Sequence, residues 1–531
     1  MAAIVTDQFR ILNASNFVDS ISNNSYYTFL GLVNSSPAVS AGFGRTTTWD
    51  TNPPAPIDNF QYYSHYKETA LFGKKIKSSN VRRVIRRVDW VANNKYDMYR
   101  HDYSATNRTP YSNSSRLYDS NFYVMNSDFR VYICLYNGSS GVSGDVGDPH
   151  LPNESLDEPT FTDLEPSAAG TSNDGYIWKY LFSISPSDII KFDSTEYIAV
   201  PNDWATSVDA QIVSVREAGN SNTNLNQIKQ VYIEKIGSAY EEGTHTCNIL
   251  GDGNGGKVSV VVNDSGEITS ANVISGGSGY TYGIVDLGRI QVETITSSNA
   301  AKLIPIIPPS KGHGYDIYTE LGADKVLIYT RFDNSDRDFP TDTNFSQVGI
   351  LKNPEQRTST TTFSENQFSS LYSLMVTGSD ADLETFSPTI GQKISQSNPN
   401  DTSQSAKGYV ASYDKTTKVL KYSRDRSLYF SNKDDQTDNS SVSTQSKIYD
   451  FNQGWGNLIF DGSSSNISIK EFSGISTTIN NSEINLGVVF DDGLASPEIN
   501  NKTGDLIYID NRPEVTRDIR QKEDVKIILE F

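Results

Sequence analysis

Cysteine is almost missing from this chain: Cys134 and Cys247 are the only two in 531 residues. A single bridge is a poor staple for such a length, so the disulfide-built secreted class is excluded and both residues read as buried free thiols. Histidine is scarce as well. His65, His101, His150, His245 and His313 never fall at a His-x-x-x-His spacing, and neither cysteine lies near a second thiol. No zinc site is legible, and no metal or other cofactor is expected. Long apolar runs are lacking: the nearest, Leu303-Ile-Pro-Ile-Ile-Pro308, is short and broken by proline, so no membrane insertion is expected. The first ten residues, Met1-Ala-Ala-Ile-Val-Thr-Asp-Gln-Phe-Arg10, carry neither a charged n-region nor an apolar h-region, and no signal peptide is expected. Basic charge is in deficit, 45 Lys and Arg against 64 Asp and Glu, for a net charge of -19. Such a chain repels phosphate backbones overall, which disfavours nucleic-acid binding and favours solubility before assembly.

What the chain has in quantity is aromatic and turn-forming residues, including 30 Tyr and 23 Phe. Tyr, Thr, Val and Ile suit half-buried pleated surfaces, while the abundant Asn, Ser, Asp and Gly suit turns. The fold expected is therefore mainly β: multidomain, of β-sandwich or barrel-like modules, with few short helices and long loops. Strand patterns stand out at 81–90, 129–136, 177–182, 196–200, 325–329, 408–412, 419–422, 457–460, 505–509 and 525–531. A short amphipathic helix is predicted over 14–21, where Phe17, Val18 and Ile21 share a face. Thr51-Asn-Pro-Pro-Ala-Pro56 excludes regular structure and should cross the surface as an extended loop. Residues 137–175 have no periodicity and read as a long loop, and the polar run 431–445 as disordered or a surface excursion.

An internal echo follows. Gly237-Ser-Ala-Tyr240 with Gly243 recurs as Gly277-Ser-Gly-Tyr280 with Gly283. Between the copies, 257–262 and 267–274 read as a hairpin turned by Asn263-Asp-Ser-Gly266. Each copy is too small to fold alone, so the pair is expected to make one small β module.

No motif carries chemistry. Gly251-Asp-Gly-Asn-Gly-Gly256 lacks the terminal Glu of a calcium loop and the Gly-Lys-Ser/Thr of a phosphate loop, and reads as a hairpin connection. There is no Gly-x-Ser-x-Gly elbow, and the acids are too dispersed to nominate a glycosidase pair, so no catalytic residue is expected. The local anomaly is a basic cluster, Arg82, Arg83, Arg86 and Arg87, in an acidic chain. Its plain reading is a strand face whose arginines pair with nearby carboxylates. Its functional reading is a partner interface at Arg83, Arg86, Arg87, Asp89 and Trp90, because Arg and Trp are enriched at interface hot spots.

Several segments read together go further. They are Ala3-Ile-Val-Thr-Asp-Gln-Phe-Arg10, Gly42-Phe-Gly-Arg-Thr-Thr-Thr-Trp49, Val84-Ile-Arg-Arg-Val-Asp-Trp90, Val131-Tyr-Ile-Cys-Leu135, Asp174-Gly-Tyr-Ile-Trp-Lys-Tyr-Leu-Phe182, Glu196-Tyr-Ile-Ala-Val-Pro201, Phe345-Ser-Gln-Val-Gly-Ile-Leu-Lys-Asn-Pro354 and Gly504-Asp-Leu-Ile-Tyr-Ile-Asp-Asn-Arg-Pro513. In order and composition they resemble the baseplate wedge gene-8 product family of T-even-like contractile-tail phages, over roughly 1–210, 315–356 and 500–531. The resemblance implies a structural virion protein of the tail baseplate, a homodimer docking to other wedge proteins (the products of genes 10, 7 and 6). It would be assembled in the host bacterial cytoplasm, rearrange when the sheath contracts, and need no catalytic residue. On this reading 1–215, 299–357 and 500–531 form the family-like wedge core, and 216–298 and 358–499 are two inserted β modules. The alternative is a receptor-binding or tail-fibre protein recognising host surface glycans, whose fibrous repeats are not found here; a tail-associated glycan hydrolase or lyase comes third.

Overall fold

A computed structural model describes residues 5–33, 45–139, 151–219, 226–333, 343–357, 359–424, 449–479, 482–518 and 521–531. The run 431–445 and His150 lie outside them. Strands make up 39% of the described residues and helices 14%, in many antiparallel sheets, so the fold is mainly β as composition predicts. The chain divides into two compact units: Met1–Val18, Val81–Leu327 and Ile527–Phe531 form one, and Asp19–Asn80 with Ile328–Lys526 the other.

The first unit is organised around a three-stranded sheet of Tyr123–Met125, Arg130–Asn137 and Tyr176–Ser183. The residues that mark these strands in sequence also fill the core, where the Tyr176 and Trp178 rings stack 5.4 Å apart and Tyr96 meets Trp178 edge-on. Cys134 is buried there and is a free thiol, as is Cys247 elsewhere in the unit. Val81–Arg86 pairs antiparallel with Tyr197–Val200, placing Arg83 opposite Val200 and Arg86 opposite Tyr197.

A second core in the same unit lies beneath a four-stranded sheet ordered Ile268–Ser278, Asn254–Val262, Gly243–Gly251 and Gly283–Val285. The hairpin read from sequence is its centre: Asn263 N donates to Glu267 O at 2.9 Å, and Gly266 takes a φ of 72° to close the turn. The echo also has a structural cause. Gly237 and Gly277 have φ of 66° and 58°, and the residues two further on, Ala239 and Gly279, have 87° and 78°. Each copy is thus a left-handed turn that drops the following tyrosine, Tyr240 or Tyr280, into the core. Tyr280 Oη donates to Ile249 O and accepts from Gly256 N; Tyr240 Oη accepts from Ala301 N.

In the second unit a five-stranded sheet runs Gln367–Phe368, Ala70–Lys75, Tyr26–Gly31, Asn344–Lys352, Asp505–Thr516. A ten-stranded sheet has Lys393–Asn398, Asp401–Asp414, Val419–Arg424 and Tyr372–Thr377 at its centre, with its own core of Leu374, Ile394, Val410 and Leu420. The turn between Asp401–Asp414 and Val419–Arg424 closes on Asp414, whose carboxylate accepts from Thr416 N at 2.8 Å. The strand expected over 457–460 is confined to Ile459–Phe460.

Helices depart most from expectation. The one predicted over 14–21 runs from Asp7 to Asn23, with Ile11, Ala14 and Ile21 inward. Five others, Phe60–Glu68, Pro186–Phe192, Ala210–Glu217, Ile317–Leu321 and Asp380–Thr385, are too short to leave an apolar period. Each is nevertheless announced by a capping side chain, from Asn59, Ser185, Asp209, Asp316 and Ser379 in turn.

The two echo copies give a paired test. A Cβ at Gly279 would meet nothing nearer than 3.9 Å, so Gly279→Ala strains only the backbone and should cost about 1 kcal/mol. Ala239→Gly should shift stability the other way by less, because glycine's freedom in the unfolded chain offsets part of the relief. Urea midpoints of the two variants check both signs.

Candidate partner interface

The arginine strand sorts into buried and exposed parts. Val81, Arg83 and Ile85 share one face and are buried, and Arg83 lays its guanidinium 3.2 Å from the centre of the Tyr318 ring. Tyr318 is itself fixed by its hydroxyl, which donates to Pro201 O at 2.6 Å. Arg83 is therefore held inside the unit by a desolvated cation–π contact. Arg82 pairs with Asp188 at 3.0 Å and covers the Phe192 ring. Arg87 bonds Asp89 through Nε at 2.8 Å and Asp193 through Nη1 at 2.6 Å, and these carboxylates hold its ionisation above the usual arginine value. Trp90 is half-buried against the core, its Nε1 donating to Ser155 Oγ at 3.0 Å. Arg86 and Asp89 are exposed, and Arg86 reaches Ser120 O and Asn121 Oδ1, both at 2.8 Å.

Of the five residues singled out from sequence, the structure brings Arg86 and Arg87 to one cleft of about 560 Å³. Its floor is Ile11, Val84, Ile85 and Tyr123, and its rim carries Arg10, Arg116 and Lys325 among Asp7, Asp119, Glu196, Asp324 and Glu530. Several of these charges are already matched: Arg116 pairs with Asp7, and Lys325 with Asp324 and Glu530. Arg83, Asp89 and Trp90 do not line the cleft.

The described part of the long loop, 151–175, is tied down at many points. Ser155 N donates to Asn94 O, and Asn93 N to Ser155 O, both at 2.8 Å, which places the loop against Trp90. Asn126 Nδ2 donates to Pro159 O, Tyr132 Oη to Phe161 O and Tyr176 Oη to Asn153 O. The ammonium of Lys179, wholly buried, donates to Leu164 O at 2.7 Å. Sequence gave no hint of this, since Lys179 stands in a strand where a lysine would ordinarily face solvent. Burial pushes its pKa down to about 8, helped by the charge of Lys229 and opposed by Glu320 and Glu165. Leu151 and Leu156 remain exposed on the loop's outer side.

The histidines are dispersed. His313 is buried against Glu320 at 2.6 Å and His101 accepts from Ile307 N. Among the described residues no three His, Cys, Asp or Glu side chains converge as metal ligands would. The Gly251–Gly256 connection is the hairpin between Gly243–Gly251 and Asn254–Val262, and Asp252 in it is pulled down to about 2 by hydrogen bonds from Thr281.

Fold and site together define a many-sheeted β protein whose conspicuous polar groups are spent on holding loops and strands to one another. A family model described as Gp8 of bacteriophage T4 matches residues 3–269, half of the chain, and the chain belongs to that family. It is 27% identical over 220 residues to the baseplate wedge protein gp8 of Enterobacteria phage T4, a match covering 38% of this chain and 60% of that relative's length.

Two substitutions test the anchoring. Tyr176 Oη both donates to Asn153 O and accepts from Tyr96 N, so Tyr176→Phe strands the buried Tyr96 N–H, frees the exposed Asn153 and should cost about 1–3 kcal/mol in urea unfolding. Lys179, with a folded-state pKa of about 8 against about 10.4 unfolded, keeps its proton longer in the unfolded chain. Its burden on the fold is full below pH 8 and is relieved as pH rises to 10.4, by about 3 kcal/mol. Lys179→Met should lack that rise, so the stability difference between variant and wild type must change across pH 8–10.4; a constant difference would contradict the assignment.

Proposed function

We propose that this chain is a non-enzymatic structural subunit of a contractile-tail baseplate wedge, carried in the virion and assembled in the host bacterial cytoplasm. The observation that carries this reading is the family match across 3–269. In it the protein is a homodimer that docks to neighbouring wedge subunits (the products of genes 10, 7 and 6) and shifts with them when the sheath contracts. Arg86 and Asp89 are the exposed contact groups of the arginine strand, while Arg83, Arg87 and Trp90 hold that strand rigid beneath them. Preorganised side chains of this kind lose little entropy on binding. The segments 216–298 and 358–499 are read as additions to a common wedge core, although the family match, running to residue 269, reaches well into the first of them.

Sedimentation velocity of the purified chain tests the reading. A dimer is expected, together with a complex on adding the neighbouring wedge subunits of the same phage. Arg86→Ala should weaken that complex about tenfold; because it also loses the bonds to Ser120 O and Asn121 Oδ1, a small fall in melting temperature is expected beside it. A stable trimer that ignores the wedge subunits would point instead to the fibre class.

A further inference from the structure

The cleft beside Arg86 carries positive charge that the fold does not neutralise. Its floor of Ile11, Val84, Ile85 and Tyr123 is almost fully buried, so anything that enters meets mainly the charged rim. Most of that rim is matched from within: Arg116 by Asp7, Lys325 by Asp324 and Glu530, and Arg87 by Asp89 and Asp193. Arg86 is different. Its Nη2 donates to Ser120 O and Asn121 Oδ1, and its guanidinium also meets the Tyr123 hydroxyl, so three neutral groups hold it and no carboxylate does. Arg10 lines the same cleft, and among the described residues its guanidinium has no ion-pair or hydrogen-bond partner. It stands at the end of the first turn of the helix Asp7–Asn23, where a cation opposes the helix dipole. Helix stability therefore gives no reason for a charge of that sign there.

Two guanidiniums on one opening, one held in position and one unengaged, suit a carboxylate, which accepts charge-assisted hydrogen bonds from such forks. Because Arg86 is fixed before any partner arrives, little of its freedom is lost on binding. A phosphate-rich ligand fits less well. Asp119, Glu196, Asp324 and Glu530 stand on the same rim and repel a multiply charged anion, whereas a single carboxylate can lie against the two arginines. The opening, about 560 Å³, falls in the range of pockets that enclose a compact ligand, so it suits a protruding tip better than a flat face. We propose that this cleft receives a protruding, carboxylate-tipped segment of a neighbouring subunit of the same assembly, bound through Arg10 and Arg86. This inference deepens the wedge reading above and rests on it.

The test uses the full chain and the purified neighbouring wedge subunits of the same phage, with affinities from interferometry at low and high salt. Arg10→Gln should weaken one of those complexes about tenfold at low salt and by less at high salt, with the melting temperature of the free chain unchanged. Arg10→Glu places an acid in the first turn of the helix, so the fold is kept, and should weaken the complex further. Arg10→Lys keeps the charge and should restore part of the affinity. Arg289→Gln, which removes an exposed arginine of the same unit that does not line the cleft, should leave it unchanged. Wild-type affinity in both Arg10→Gln and Arg10→Glu overturns the proposal and leaves the wedge reading standing. A loss of equal size at both salt concentrations overturns it too, because the missing contact would not be ionic. Loss of self-association without loss of the mixed complex overturns the choice of partner. Absence of any complex with wild-type protein overturns the wedge reading itself.

Discussion

A chain with long irregular connections lying on its sheets must find partners for the main-chain carbonyls that those connections bury. In this protein tyrosine meets part of that need. Hydroxyls of Tyr132, Tyr176, Tyr123, Tyr318 and Tyr27 donate to the carbonyls of Phe161, Asn153, Arg86, Pro201 and Glu365 in turn. The ring supplies apolar burial and the hydroxyl closes a hydrogen bond that water would otherwise make, so one residue type serves both core and loop. Burial pushes these phenols up, Tyr132 to about 12, so they stay protonated donors throughout the physiological range. Lys179 does for Leu164 O what a tyrosine does elsewhere, at the larger cost of a buried charge.

The same need for partners brings distant segments together. Asn344–Lys352 lies between Tyr26–Gly31 and Asp505–Thr516, so segments far apart in sequence form adjacent strands. The outer side of Asp505–Thr516 would be a long open edge, the kind that invites unwanted pairing. Trp49 and Asp50 cover its second half through Arg512 O and Glu514 N, and Lys67 covers the residue before it through Gly504 O. Asn511 Nδ2, donating to Pro54 O at 2.8 Å, pins the Pro-rich run Thr51–Pro56 to the same strand.

How much of this was legible follows from the range of each interaction. Strands such as Arg130–Asn137 and Tyr176–Ser183 announce themselves, because β-branched and aromatic residues suit a pleated surface wherever the sheet closes. The turn tyrosines of the echo were visible as a pattern, and the left-handed glycines give its reason. The short helices had no apolar period, yet Ser185 followed by Pro186 is a local start signal that could have been used for Pro186–Phe192. The fate of each arginine was not legible. Whether Arg83 faces solvent or core depends on Tyr318, which long-range packing brings over it, and nothing near Arg83 in sequence encodes that. Trp90 likewise meets Ser155, which stands 65 positions away and which nothing near Trp90 in sequence encodes.

The central claim is that this protein is a connector within the plate of a contractile tail, and its place in the intact virion decides it. Electron cryomicroscopy of the whole particle, with the chain fitted to density, should find both units inside the baseplate wedge. Arg86 should then lie against a neighbouring subunit. Density confined to peripheral fibres, with none in the plate, would contradict the account.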